Sequence, residues 1–145
     1  MLLDNRTAEY IDLIRHDDGQ YYVLEDNLRT PSGVSYMLEG RSISQKLMPE
    51  IFASHKISPV HDYPALLKQT LIANSLVENP TIVVLTPGRF NSAYYEHAFL
   101  AREMGVPLVN GYDLFVEGNE VFLKSIRGKV RVDMIYRRLD DPFLD

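Results

Sequence analysis

The segment from Thr81 to Leu85 constrains the fold more than any other part of the sequence, because it is short, continuously apolar and rich in β-branched residues. This pattern is typical of a strand that is buried on both faces of a parallel sheet. Three elements are predicted to follow it: a loop over Thr86 to Asn91, a helix from about Ser92 to Met104 that Gly105 ends, and a strand over Val106 to Val109. Together they predict a βαβ unit, and therefore an α/β fold.

Before this unit the sequence predicts a β-hairpin followed by helices. The hairpin strands are Tyr10 to Arg15 and Gln20 to Leu24, joined at Asp18-Gly19, a dipeptide typical of a two-residue hairpin loop. A helical stretch is predicted over Val34 to Ala53, with breaks near Gly40 and Pro49. A second helix is predicted from an Asp62 cap to about Ala73, and its buried stripe comprises Leu66, Leu67, Leu71 and Ile72.

After the βαβ unit the pattern returns to strands. A second hairpin is predicted over Tyr112 to Val116 and Glu120 to Lys124, with its turn at Gly118-Asn119, and a final strand over Val130 to Tyr136. We therefore expect residues 1–74 to form one domain, with the first hairpin and the helices, and residues 75–145 to form a second, α/β domain.

Charge and composition exclude several classes of protein. Fifteen Lys and Arg residues against twenty Asp and Glu residues give a net charge of −5, so a basic surface for nucleic acid is not expected. The apolar runs are far shorter than a membrane span needs, and no membrane partner is predicted. The chain has no cysteine, and its first ten residues lack the apolar core of a signal peptide. These features predict a cytoplasmic protein.

Three oxygen-bearing side chains are predicted to share one face of the first hairpin. A two-residue loop at Asp18-Gly19 places Asp12 opposite Glu25, and the strand period of two puts Asn27 on the same face as Glu25. Opposed carboxylates repel unless a hard cation such as Mg²⁺ neutralises them. The alternative is a solvated face with ordinary surface ion pairs, and spacing alone favours this alternative.

Other residues have both a binding and a structural interpretation. Asn91 lies where a helix begins, and either caps that helix or helps to bind an anion. Arg137 and Arg138 follow a predicted strand, where α/β sheets bind ligands, or belong to a surface ion-pair cluster. Arg29 lies two residues beyond Asn27 and is suited to hold a phosphate or carboxylate. A lone histidine such as His97 is more often structural than catalytic.

The wider sequence resembles a known family. The order and spacing of Asp12, the Asp18-Gly19 turn, the segment from Tyr22 to Asn27 and the loop from Thr30 to Gly33 resemble the closing segment of ATP-grasp ligases. The longer string from Tyr22 to Tyr36 (YVLEDNLRTPSGVSY) is more similar to the circularly permuted ATP-grasp family, in which the metal-ligand segment precedes the Rossmann-like domain. Three later strings also resemble that family: LTPG from Leu85, NSAYYEH from Asn91 and YRRLDDPFLD from Tyr136.

The resemblance implies a function and a set of site residues. It implies an ATP- and Mg²⁺-dependent ligase that joins a carboxylic acid to an amine through an acyl-phosphate, with Asp12, Glu25 and Asn27 as metal ligands. The following loop, with Ser32 and Gly33, would contact the acceptor, which Arg29 would orient. Asn91, Arg137 and Arg138 are the remaining candidates for substrate binding.

The resemblance also implies that this chain is part of a larger catalytic architecture. None of the five lysines (Lys46, Lys56, Lys68, Lys124 and Lys129) lies in a context that matches the family's nucleotide clamp. The alternative function is a non-catalytic α/β module that binds a ligand or self-associates. In that case apolar surface that other domains would cover favours a homo-oligomer.

Overall fold

A computed structural model describes residues 10–27 and 30–139 of the chain. It is a mixed α/β structure with a hairpin and helices, and it divides into two compact units. The first unit contains the described residues up to Pro31, and the second contains Ser32–Leu139. The helices that follow the hairpin therefore pack with the second unit. The predicted domain boundary between residues 74 and 75 stays a prediction.

The first unit is a two-stranded antiparallel hairpin of β1 (Tyr10–Arg15) and β2 (Tyr21–Asn27). The prediction of a two-residue loop is wrong, because His16 and not Asp17 faces Gln20, and the His16 amide donates to the Gln20 carbonyl at 2.9 Å. The wider loop ends at Gly19, whose φ of 81° suits glycine. The Asp18 carboxylate stabilises the loop by accepting from the Gln20 amide at 2.8 Å.

A β-bulge in the hairpin restores the pairing that the sequence predicts. Leu13 lies opposite Val23, but the next residue along β1, Asp12, lies opposite Glu25, so that β2 contains one extra residue at this point. The predicted pair of Asp12 and Glu25 is thus confirmed. It results from a three-residue loop and a one-residue bulge, which compensate each other.

The second unit has four helices among its described residues: α1 (Val34–Leu47), α2 (Pro49–Ser54), α3 (Tyr63–Ala73) and α4 (Tyr94–Met104). The predicted break at Pro49 is confirmed, whereas the break at Gly40 is wrong. A glycine inside a helix costs only about 1 kcal/mol relative to alanine, which packing can offset. Asp62 occupies the N-cap position of α3 without a side-chain capping bond.

The buried face of α3 is narrower than predicted. Pro64 and Leu67 are buried, but Leu66 and Ile72 are more than a third exposed. The helix contacts α4 and a strand of the parallel sheet. Pro64 and Leu67, which are three residues apart and lie on the same face, are buried, whereas Leu71 is only partly buried.

A three-stranded parallel sheet lies next to α4. The strand β3 (Ile82–Leu85) is central, with β4 (Leu108–Val109) on one side and β8 (Met134–Arg137) on the other. The chain passes from β3 through α4 to β4, and Gly105 ends the helix in the left-handed conformation with φ of 64°. The predicted βαβ unit is confirmed. Whether the domain is Rossmann-like stays a prediction.

An antiparallel sheet of three strands lies between β4 and β8 in the sequence: β5 (Leu114–Glu117), β6 (Glu120–Ser125) and β7 (Gly128–Val132). The predicted hairpin at Gly118-Asn119 is confirmed. The single strand predicted over Val130 to Tyr136 is wrong, because its residues belong to two sheets, with Asp133 between them. The Asp133 carboxylate accepts from the Thr81 amide at 2.9 Å and holds the chain at this change of direction.

The two sheets of the second unit share a hydrophobic core. Its buried centre consists of Val83, Val109 and Val132, one from each of β3, β4 and β7. Partly buried residues of both sheets pack around them: Leu85, Leu114, Val121, Leu123 and Ile135. In the described ranges, no helix is long and apolar enough to cross a membrane.

Candidate functional site

The predicted metal ligands share one face of the hairpin. Asp12 lies opposite Glu25, and the Asn27 side-chain amide donates to the Asp12 carboxylate at 2.9 Å, so all three side chains lie on the same side. Asp26 lies opposite Ile11, and because side chains alternate along a strand, its carboxylate lies on the other face of the hairpin. Asp12 and Glu25 are exposed. A ligand can therefore reach both carboxylates.

The chemistry of this face fits Mg²⁺. Two carboxylates and one amide oxygen are hard oxygen donors, which Mg²⁺ prefers and which leave room for phosphate oxygens and water. Within residues 10–27 and 30–139, no group of three His, Cys, Asp or Glu side chains could hold a metal. The hairpin face has only two such residues, since its third donor is the Asn27 amide.

The predicted acceptor segment lies partly within the described residues. Arg29 is outside them. Ser32 is exposed, and Gly33 occupies the N-cap position of α1 with φ of 120°, a conformation that favours glycine. The Gly33 amide donates to Glu96 at 2.6 Å. A substrate role for Ser32 and Gly33 stays a prediction. For Gly33, the backbone N–H that a substrate could use is already bonded to the Glu96 carboxylate.

Glu96, in the first turn of α4, is the centre of a buried polar cluster that the sequence analysis missed. Its side chain is fully buried. One carboxylate oxygen accepts from the Gly33 amide, the Ser35 amide at 3.2 Å and the Ser35 hydroxyl at 2.9 Å. The other oxygen lies 3.3 Å from the Arg138 guanidinium. These partners compensate for the removal of the carboxylate from water.

The two adjacent arginines at the end of β8 have different environments. Arg137 is exposed, whereas Arg138 is 4% exposed. The backbone of Arg138 is held by the Leu85 carbonyl at 2.8 Å, and its guanidinium contacts Glu96 and the Tyr136 hydroxyl. One partner of Arg138 is therefore an interior glutamate, which neither the ligand-binding nor the surface-cluster interpretation anticipates. Substrate binding by either arginine stays a prediction.

His97 is buried beside Glu96 and is bonded to the loop after β3. Its Nδ1 lies 2.8 Å from the Thr86 hydroxyl, which also accepts from the Gly88 amide at 3.2 Å. The pKa of His97 is lowered to about 4, chiefly because the ring is buried. The nearby Arg138 charge also lowers this pKa, and its effect is larger than the opposite effect of the Glu96 charge. His97 is thus neutral near pH 7. The neutral ring and the Thr86 hydroxyl share one hydrogen bond, which ties α4 to the loop after β3.

Asn91 stabilises the turn that leads into α4. Its side-chain oxygen accepts from the Ala93 amide at 2.9 Å, and its carbonyl accepts from the Tyr94 amide at 3.1 Å. The residue in the N-cap position is Ala93, and Asn91 itself is exposed. The observed bonds are those of a turn-stabilising residue. Anion binding by Asn91 stays a prediction.

The described residues therefore comprise a hairpin with three oxygen-bearing side chains on one exposed face and an α/β unit that contains a buried polar cluster. The sequence profile described as "A circularly permuted ATPgrasp" matches residues 6–145. The chain belongs to the circularly permuted ATP-grasp family.

Several curated proteins are similar to this chain. It is 53% identical over 138 residues to "Uncharacterized protein Rv2411c" of Mycobacterium tuberculosis, covering 93% of this chain and 25% of that protein. It is 49% identical over 136 residues to "Uncharacterized protein sll0335" of Synechocystis, covering 92% of this chain and 28% of that protein. It is 43% identical over 143 residues to "Putative glutamate--cysteine ligase 2-2" of Frankia casuarinae, covering 95% of this chain and 16% of that protein. The chain thus spans little more than a quarter, at most, of the length of these relatives.

Proposed function

We propose that this chain contributes the metal-binding face of an ATP- and Mg²⁺-dependent ligase that joins a carboxylic acid to an amine. The observation that supports it best is the placement of Asp12, Glu25 and Asn27 on one hairpin face. Membership of the circularly permuted ATP-grasp family supports the same reaction class. The relative from Frankia casuarinae, which is named as a glutamate–cysteine ligase, suggests glutamate and cysteine as the first acid and amine to test.

In the proposed reaction, the acid attacks the terminal phosphoryl group of ATP to give an acyl-phosphate and ADP, and the amine then displaces phosphate. Bound Mg²⁺ would neutralise charge on the phosphoryl oxygens. Asp12 and Glu25 would hold the cation, while Asn27 would supply an amide oxygen and orient Asp12 through its hydrogen bond. Arg29 and Ser32 would contact the acceptor, and the exposed Arg137 would bind a substrate carboxylate.

A calorimetric titration with Mg-ATP tests the proposal. We expect the wild-type chain to bind, and we expect the Asp12→Asn/Glu25→Gln double variant to lose binding at least about tenfold, because two charged ligands become neutral. Asp26→Asn is the matched control, since it removes one carboxylate of the same hairpin from the opposite face and should bind like the wild type.

Two results would contradict the proposal. Equal binding by the wild type and the double variant would mean that nucleotide binds elsewhere. No binding by the wild type would favour the alternative, a non-catalytic α/β module.

A further inference from the structure

The first turn of α1 has its cap supplied by a distant helix. The N-cap residue is Gly33, which has no side chain to accept from the exposed amides of the first turn. Glu96 of α4 takes this role, because one of its carboxylate oxygens accepts from the amides of Gly33 and Ser35 and from the Ser35 hydroxyl. Ser35 is fully buried, so these bonds are shielded from water.

Arg138 holds Glu96 in the orientation that allows these bonds. Its guanidinium lies 3.3 Å from the carboxylate oxygen that does not cap α1. The Arg138 backbone is itself fixed to the end of β3 through the Leu85 carbonyl. The start of α1 is thus connected, through Glu96 and Arg138, to the end of the parallel sheet where its strands terminate.

We propose that Glu96 is a positioning residue for the acceptor segment, and that Arg138 orients Glu96 rather than binding substrate. The inference rests on the proposed function, in which Ser32 and the neighbouring residues contact the acceptor. Glu96 fixes the backbone at Gly33, so that the exposed Ser32 is presented from a fixed point. The Gly33 amide then serves the positioning of this segment and not the substrate.

Two double variants distinguish the effect of the capping hydrogen bonds from the effect of the buried charges. Glu96→Gln/Arg138→Met and Glu96→Ala/Arg138→Met both remove the two charges of this ion pair together, so neither variant leaves Glu96 or Arg138 as a buried charge without the other. They differ in the amide oxygen of glutamine, which can still accept from Gly33 and Ser35. Any difference between the two variants therefore reports on the capping bonds.

Amide hydrogen exchange, resolved by residue, is the first readout. We expect the Gly33 and Ser35 amides to exchange about tenfold faster in the alanine double variant than in the glutamine double variant. The Val83 amide, in the buried centre of the sheet, should exchange equally in both. Equal exchange at Gly33 in the two variants, or equal acceleration at Gly33 and Val83, would overturn the proposal.

A single variant keeps the test decisive if the alanine double variant does not fold. Ser35→Ala removes one of the three donors and leaves Glu96 and Arg138 in place. We expect it to accelerate exchange of the Gly33 amide a few-fold. An unchanged exchange rate of the Gly33 amide would contradict the inference that one Glu96 oxygen holds Gly33 and Ser35 together.

Steady-state kinetics separate this inference from the proposed function. The metal ligands lie in the hairpin unit, so Mg-ATP should bind the two double variants equally. In the complete ligase of which this chain is proposed to be a part, the KM for the amine should be several-fold higher in the alanine variant than in the glutamine variant, with kcat less affected. An equal KM in the two variants would overturn the positioning role alone. A wild-type chain that does not bind Mg-ATP would overturn the proposed function and, with it, any role in acceptor binding.

Discussion

His97 is a buried histidine whose charge state links the stability of the chain to pH. Burial lowers the pKa of His97 to about 4, whereas an unfolded histidine titrates near 6.5. Between these values the unfolded chain binds more protons than the folded chain, so stability falls as pH falls from about 6.5 to about 4. Above that range the histidine is neutral in both states and contributes no pH dependence.

Replacing His97 by asparagine should remove this part of the pH dependence. The side-chain oxygen of asparagine can take the place of Nδ1 beside Thr86, and it does not titrate. Between pH 7 and pH 4 we expect the free energy of unfolding to fall by about 3 kcal/mol more in the wild type than in His97→Asn. Urea unfolding at a series of pH values measures the difference.

The exposed His61 provides the control for this measurement. His61→Asn removes a different histidine and leaves His97 and Thr86 in place, so the pH dependence that His97 causes should remain. If the stability of His97→Asn shows the same pH dependence as that of the wild type, then His97 does not cause it, and the conclusion that this histidine is buried and neutral is contradicted.

Sequence reasoning placed the three predicted metal ligands on one face but missed the buried polar cluster. Asp12, Glu25 and Asn27 lie close together in a hairpin, so local pairing rules bring them to one face. Glu96 and Gly33 are 63 residues apart, and no local rule relates them. One signal was present: Glu96 lies on the same side of α4 as Leu100 and Met104, so a carboxylate interrupts an apolar stripe.

At the scale of elements, the hairpin shows how two errors of prediction can cancel. With the observed three-residue loop and no bulge, Asp12 would lie opposite Leu24, and Glu25 would lie opposite Ile11. The extra residue in β2 returns Glu25 to its place opposite Asp12. In the loop, the Asp18 carboxylate accepts from the Gln20 amide and the Tyr22 hydroxyl, and the bulge is a property of the strand pair. Neither could be predicted from the Asp18-Gly19 dipeptide.

The junction between β7 and β8 depends on one carboxylate. Asp133 accepts from the Thr81 amide at 2.9 Å and from Arg131 at 2.8 Å, and the Thr81 amide is the main cause that lowers the pKa of Asp133. We expect Asp133→Ala to lower the free energy of unfolding at pH 7 by about 2 kcal/mol, because the Thr81 amide loses its partner. Urea unfolding measures this change.

Two further variants show whether the lost bond is responsible. Asp133→Asn keeps an acceptor oxygen for the Thr81 amide and should lose clearly less stability than Asp133→Ala. Glu117→Ala removes an exposed acid that pairs with Lys129, and should leave stability nearly unchanged. Equal losses in Asp133→Ala and Glu117→Ala would contradict the role of Asp133 at the junction.

At the scale of the whole molecule, the two units differ in how they are stabilised. Every buried hydrophobic residue of the described chain lies in the second unit, between Val34 and Leu139. Residues such as Leu13 and Val23 in the hairpin are each 57% exposed. Within the first unit the two strands are therefore joined by the hydrogen bonds of the ladder and by exposed side-chain bonds such as that from Asn27 to Asp12, rather than by a buried apolar core.

The proposed cation site lies in the first unit, between Asp12, Glu25 and Asn27. Paramagnetic Mn²⁺, which accepts the same oxygen ligands as Mg²⁺, can locate this site in the full chain by NMR. We expect substoichiometric Mn²⁺ with ATP to broaden the NMR signals of these three residues first, and the Asp12→Asn/Glu25→Gln variant to lose the effect. Broadening that centres on other residues, or that survives in the double variant, would show that the cation binds elsewhere.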